Sequence, residues 1–293
     1  MRDRILVGPA HLFAGSGVGE LHPPRLRMQS RQPFSRPRMV CQFSCGAASA
    51  VATKLTIAEH SPDEVIIVNA FIQEEHQDNR RFLSDCERWF GRTITVLRDV
   101  KYGASTDQVW ITKRFMKGLR GAPCSLALKR VVLGTVAQPG DINVIGYTKE
   151  EADRLDDLEK NFPLENFHCP LIERGLSHDD CLAIIDRAGI ELPLLYRMGY
   201  KNANCIGCPK GGQNYWQAIR ADFPERFAQI QAIQESIGPG SYFLRFRSGS
   251  RENERMSLAE LPPGRGNMAQ EPSFSCSFFC ELVEQELAQE ANG

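Results

Sequence analysis

The sequence predicts an α/β fold: a doubly wound, mostly parallel sheet followed by a helical C-terminal part. Three observations carry this expectation. Met39–Phe43 is a short apolar run that enters a loop of small residues, Ser44 to Ser49, and leaves it as a helical pattern with Val51, Leu55 and Ala58 on one face. Asp63–Phe71 contains four consecutive aliphatic residues, Val65 to Val68, as expected for a strand buried on both faces of a parallel sheet. Strand-like and helix-like segments then alternate, with a helical stretch over 79–90, a strand at Thr93–Leu97 and another at Asp141–Gly146. That alternation is what a doubly wound sheet requires.

Composition narrows the function classes. A net charge of −1 with 42% hydrophobic and 24% charged residues gives no global bias toward nucleic acid or membrane. No apolar run approaches the roughly 18–20 residues that span a bilayer. No secretory signal is visible, so the ten cysteines argue for a reducing, cytoplasmic location in which clustered Cys act as ligands or catalysts. At 293 residues the chain can build one large domain, or one domain and a small appendage.

Four regions follow from the order of the chain. Residues 1–38 are rich in Gly, Pro and Arg, with seven Arg against two acids. They are expected to be a disordered basic extension, explained either by a true start at Met28 or Met39 or by a nucleic-acid-contacting arm. Residues 39–165 are expected to form the α/β part, 166–237 a helical cysteine-bearing region, and 238–293 a loop-rich tail with a terminal acidic helix. Within these, His168–Ile172 reads as a further strand, Thr148 and Glu151 as a capping box, and Ser177 as a helix cap. Cys41, Cys86, Cys169 and Cys181 stand singly in apolar patterns and are assigned to the core, and His76 to a solvated polar loop. Aromatics from Tyr215 to Phe227 fall at core spacing. Arg245, Arg247, Arg251 and Arg255 lie in a Gly/Ser/Pro-bearing run that reads as a solvated loop, with a flap over an anion as the alternative.

Two constellations carry chemistry. In Ser44-Cys45-Gly46-Ala47-Ala48-Ser49, two hydroxyls flank residues with almost no side chain, so backbone N–H groups can approach an anion at the start of a helix. The glycine spacing excludes the Rossmann and Walker A patterns, and an ordinary packing turn is the plain alternative. Ligands of open α/β sheets bind beyond the carboxyl ends of strands, which groups this loop with the segment from Asn69 to His76 and that from Gly146 to Arg154. The second constellation is Cys205-Ile-Gly-Cys208-Pro-Lys-Gly211, a turn that aims two thiolates at one metal centre, with a redox disulfide as the rival reading. One pair does not complete a site. Cys124, Cys276 and Cys280 are the candidates for the remaining ligands.

The loop resembles the pyrophosphate-binding loop (PP-loop) of the adenine nucleotide alpha hydrolase superfamily, Ser-Gly-Gly-x-Asp-Ser. That superfamily includes phosphoadenylyl sulfate (PAPS) reductases, adenylyl sulfate reductases and ATP-dependent tRNA sulfurtransferases. Ser44, Gly46 and Ser49 match; Cys45 replaces the first Gly and Ala48 the Asp. The resemblance implies that residues 44–49, with Asn69, Gly146 and Tyr147, hold an adenine nucleotide, ATP or PAPS. It makes Lys129 and Arg154 the catalytic, anion-neutralising residues.

Adenylyl sulfate reductases further carry a Cys-Cys followed by basic residues, then a Cys-x-x-Cys about eighty residues later. Here 81 positions separate Cys124 from Cys205, and Ser125 stands in the second Cys position. A three-cysteine [4Fe–4S] cluster with an open iron, as in some tRNA sulfurtransferases, is implied. Cys276 or Cys280 as fourth ligand, and a zinc site of Cys205, Cys208, Cys276 and Cys280, are the alternatives. Neither late cysteine adjoins the Gly and His that accompany the C-terminal nucleophile of PAPS reductases, so that role is not carried over.

The implied function is reductase-like or sulfurtransferase-like sulfur chemistry. The implied partners are a nucleotide substrate, a redox partner or sulfur donor, a tRNA or DNA acceptor and a homodimer mate, with no membrane. The rival is a non-catalytic nucleotide- or nucleic-acid-binding module with structural zinc, which Ala48 favours and the spacing from Cys124 to Cys205 disfavours.

Overall fold

Short buried strands joined by long helical crossovers pair in parallel, because a parallel pair needs a connection of a dozen or more residues. The computed structural model describes residues 37–118, 121–272 and 274. The sheet half runs β1 (Met39–Gln42), α1 (Ala47–Glu59), β2 (Val65–Ala70), α2 (Asp78–Phe90), β3 (Thr95–Leu97) and α3 (Thr106–Lys113). A helical run follows, made of α4 (Pro123–Ser125), a π-helical turn (Leu126–Arg130) and α5 (Val131–Leu133), then β4 (Ile142–Val144), α6 (Ala152–Asn161) and β5 (Asn166–His168). The strand order is β3-β2-β1-β4-β5 and every neighbouring pair is parallel. Met39 pairs with Val65 on one side and Ile142 on the other, so the winding direction reverses between β1 and β4. A crevice opens beyond the strand ends at such a reversal.

The expected α/β class is therefore present, as a five-stranded parallel sheet with flanking helices. Burial on α1 differs from the expected pattern. Val51 is buried, but Leu55 is only partly so and Ala58 is exposed. The buried positions include Ala47, Ser49, Ala50, Ala52, Thr53 and Thr56. The helix packs against the sheet on one side and against α7 (Pro170–Glu173) and α8 (His178–Arg187) on the other. Small side chains let all three approach. The hydroxyls of Thr53 and Thr56 bond back to the Ser49 and Ala52 carbonyls and so bury no unmet donor.

The strand expected at His168–Ile172 ends at His168. Pro170 then opens α7, since proline's fixed φ and missing N–H suit the first helical position. The capping boxes at Thr148 and Ser177 are both formed, and Cys41, Cys86, Cys169 and Cys181 are all buried.

The second half adds α9 (Leu194–Arg197), α10 (Gln213–Asp222) and α11 (Pro224–Ile237). With α3 and α4 they build a separate core around Trp110, Met116, Leu128, Trp216 and Ile230. The arginine-bearing run after residue 237 is exposed as expected, but the segment is anchored at both ends. Leu244, Met256, Leu258 and Leu261 are buried in the same core, and β6 (Leu244–Arg245) pairs antiparallel with β7 (Arg255–Met256). Arg245, Arg251 and Arg255 bond within the segment. Arg251 pairs with Glu254 and Glu260, and Arg255 bonds the Gly240 and Tyr242 carbonyls.

At the other end, Arg38 belongs to the fold rather than to an extension. It makes a two-pronged pair with Asp141 at 2.9 and 2.7 Å, and its carbonyl accepts from Ile142 N–H. The rest of the expected basic extension, the terminal helix, and Cys276 and Cys280 lie outside the described residues. Among the described residues, no helix is long and apolar enough to cross a membrane.

Candidate functional site

The winding reversal is occupied by a cavity of about 500 Å³ whose walls include Ser44, Gly46, Ala48, Ser49, Gly146 and Tyr147. The turn from β1 into α1 forms its floor. Cys45 sits there with φ +59°, a left-handed conformation that costs a non-glycine residue about 1–2 kcal/mol. Its side chain is fully buried, and burial pushes its thiol well above the usual range, so it stays a protonated packing group. Gly46 begins the helix without a side-chain cap. The hydroxyls close the loop on itself: Ser44 N–H and Oγ both reach Ser49 Oγ at 3.1 Å, and Ser49 Oγ donates to the Gly46 carbonyl. The Ala47 N–H donates to the Tyr196 hydroxyl at 3.3 Å.

The end of β4 seats directly on this turn. A Cβ on Gly146 would lie 2.7 Å from Ser49 N and 2.9 Å from the Ala48 carbonyl carbon, so only glycine fits. Beyond it, the Arg154 guanidinium lies 4.5 Å from the Tyr147 ring and pairs with Glu151. Glu150, His178, Asp179, Lys201 and Asn202 complete the wall. Asn69 does not face the crevice. It is buried behind the loop, donating to the Phe43 carbonyl at 2.9 Å and accepting from Arg80, and so positions the turn.

A second, smaller cavity gathers Cys124, Cys205 and Cys208 with Ser125, Lys129 and Glu75. Cys124 comes from the first turn of α4, which Pro123 opens, and the π-helical turn that follows carries the buried Lys129. Such turns recur at functional sites. Cys208 and Cys124 are buried and Cys205 is half-buried. The Glu75 side chain is 5% exposed; desolvation pushes its carboxyl up, opposed chiefly by the charges of Lys129 and Arg80.

The Cys-x-x-Cys turn is built around one hydroxyl. Tyr215 OH accepts from the Gly207 and Cys208 N–H groups and donates to the Cys205 carbonyl, each at 3.0 Å. Gly207 supplies the left-handed residue, φ +84°. Tyr215, assigned from sequence to packing alone, is thus also the clamp of the turn. Replacing it with Phe strands two buried donors. We expect Tyr215→Phe to cost about 2–4 kcal/mol in urea denaturation, from one to two kcal/mol per unmet group. An unchanged midpoint would show that the turn holds without the clamp.

The two cavities share one wall residue, Ser44. Lys129 and Arg154 do not converge: Lys129 lines the thiol cavity and Arg154 the crevice. Cys276 and Cys280 lie outside the described residues. Phe274, just before them, has its carbonyl held by the Asn202 and Asn204 amides, both at 2.9 Å, and its ring edge-on to Tyr215 at 5.1 Å. A strap leads to it. Glu271 is buried and accepts from Gly212 and Tyr215 N–H at the start of α10, where a carboxylate suits the helix dipole. No family model matches the chain, and no curated protein matches its sequence.

Proposed function

We propose that the protein binds an adenine nucleotide in the crevice and carries out sulfur chemistry at the thiol cavity beside it, as a PAPS reductase-like oxidoreductase or an ATP-dependent sulfurtransferase-like enzyme of the PP-loop superfamily. The observation that carries this reading is the shared wall at Ser44, which sets an anion-binding turn and three thiols back to back. A side-chain-free helix start, backed by Ser44 and Ser49, suits a phosphate or pyrophosphate. Arg154, paired with Glu151, brings a guanidinium to the lining of the same crevice. The loop has no carboxylate because of Ala48, and the acids of the crevice come instead from Glu150, Glu151 and Asp179.

Cys124, Cys205 and Cys208 fit an iron–sulfur cluster, since thiolates are its ligands and the three line one cavity with Lys129. When bound, that cluster supplies electron transfer or an open iron for sulfur. The chain's own part is to hold the ligands, with Tyr215 fixing the turn and Lys129 offsetting negative charge. The Phe274 carbonyl is held by Asn204, the residue before Cys205, and Cys276 or Cys280 as fourth ligand is the alternative to an open iron.

Calorimetric titration with ATP and with PAPS tests the nucleotide half. A Cβ on Gly46 would meet the Tyr196 hydroxyl at 3.2 Å, and valine's branches crowd the turn further. Gly46→Val is expected to weaken binding at least about tenfold, or ~1.4 kcal/mol, while circular dichroism stays native. Equal affinity in the two proteins removes the crevice from the proposal. The rival reading, a nucleotide- or nucleic-acid-binding module with structural zinc, draws its support from Ala48.

A further inference from the structure

The far end of α1 carries a second group of ligand-type side chains. Glu59 is the last residue of the helix, His60 follows it, and His168 ends β5. One ligand atom from each lies within 4.8 Å of the others. The helix is 13 residues long, so this group stands about 20 Å from the Ser44–Ser49 turn and is separate from the sites above.

His168 shows what the group lacks. Its Nδ1 lies 3.0 Å from the Glu173 carboxylate, which fixes the proton on that nitrogen and leaves a lone pair on Nε2. Nε2 is buried and, among the described residues, has no hydrogen-bond partner. A buried acceptor of this kind asks for an occupant. The His60 ring is 6.3 Å away, centre to centre, and nearly perpendicular. The negative end of the α1 dipole favours a cation at the same place.

We propose that Glu59, His60 and His168 bind a divalent transition-metal ion of the zinc type, with Glu173 orienting His168 from behind. Two imidazoles and a carboxylate suit zinc, cobalt or nickel better than magnesium or calcium. The carboxylate–histidine–metal arrangement is the usual way of setting the ligating nitrogen. Arg174 pairs with Glu59 and competes for that carboxylate, so the site is weaker than a closed four-ligand structural centre. Three protein ligands leave a coordination position for water.

Cobalt(II) titration of the full-length protein, followed by absorption, tests this. Thiolate-bound cobalt gives sulfur charge-transfer bands, whereas a histidine–carboxylate site gives only d–d bands. The expected result is one equivalent of cobalt with d–d bands alone, absent in His60→Ala and in His168→Ala, while the thiolate-bound signal is unchanged. Glu173→Gln should weaken that equivalent about 10–100-fold. His60 caps an exposed helix end, so His60→Ala retains the fold and keeps the test decisive if His168→Ala does not fold. The same cobalt stoichiometry and affinity in wild type and His60→Ala would overturn the proposal.

Discussion

Gly146→Ala is expected to cost about 3 kcal/mol of stability and to abolish nucleotide binding. The added methyl would fall 2.7 Å from Ser49 N, 2.8 Å from Ser49 Cα and 2.9 Å from the Ala48 carbonyl carbon. These are backbone atoms and cannot rotate aside as a side-chain tip can. Either β4 or the first turn of α1 must shift, and forced overpacking of this kind costs about 1–3 kcal/mol or more. The shift falls on the turn whose N–H groups are proposed to hold the nucleotide, so affinity and stability drop together. Gly240→Ala is the control: nothing lies within 4 Å of its added methyl and its φ is not positive. Urea denaturation of the pair should separate them by roughly 2–3 kcal/mol. Equal midpoints would mean that β4 and α1 do not meet as described.

The second large effect concerns the thiols. Cys124→Ser, Cys205→Ser and Cys208→Ser should each release the metal from anaerobically purified protein, because a hydroxyl is a poor substitute for thiolate on a soft metal. Each should also lower stability by the linked binding energy, about 3–4 kcal/mol for a site 100–1,000-fold above its dissociation constant. Cys86→Ser is the contrast. Cys86 is buried in the core of the sheet half, and burial pushes its thiol above the usual range. Its substitution should destabilise the fold while leaving metal content intact. Iron loss in Cys86→Ser, or iron retention in Cys124→Ser, would break the assignment of the three ligands.

The parts legible in the sequence were those that local pattern dictates. The aliphatic run at Val65–Val68, the small-residue turn after β1 and the glycine ending β4 each announce their surroundings through residue type alone. Long-range partners were not legible. Tyr196 reaches the Ala47 N–H across 149 positions, and Glu75, Lys201 and Tyr215 enter the sites only once the chain has folded. The buried face of α1 was misread because its contacts are made by Ala and Thr, which carry little hydrophobic signal. Leu244, Met256, Leu258 and Leu261 were missed for a related reason. Met256, Leu258 and Leu261 are separated by polar or small residues, and Leu244 sits in a short aromatic stretch, Tyr242 to Phe246, so neither group forms a sustained periodic pattern. Lys129 and Arg154 were each placed near an anion, but sequence gave no means of assigning them to separate cavities.

The crevice proposed to hold a nucleotide and the thiol cavity act together in redox chemistry only if the thiols hold a redox-active metal. Iron, acid-labile sulfide and zinc content, with the visible spectrum, of the anaerobically purified full-length protein test this most directly. The account predicts brown protein containing iron and sulfide, with colour that depends on Cys124 as well as on Cys205 and Cys208. Colourless protein with one zinc, retained in Cys124→Ser and lost in Cys205→Ser, would contradict it, since zinc has no redox chemistry to offer.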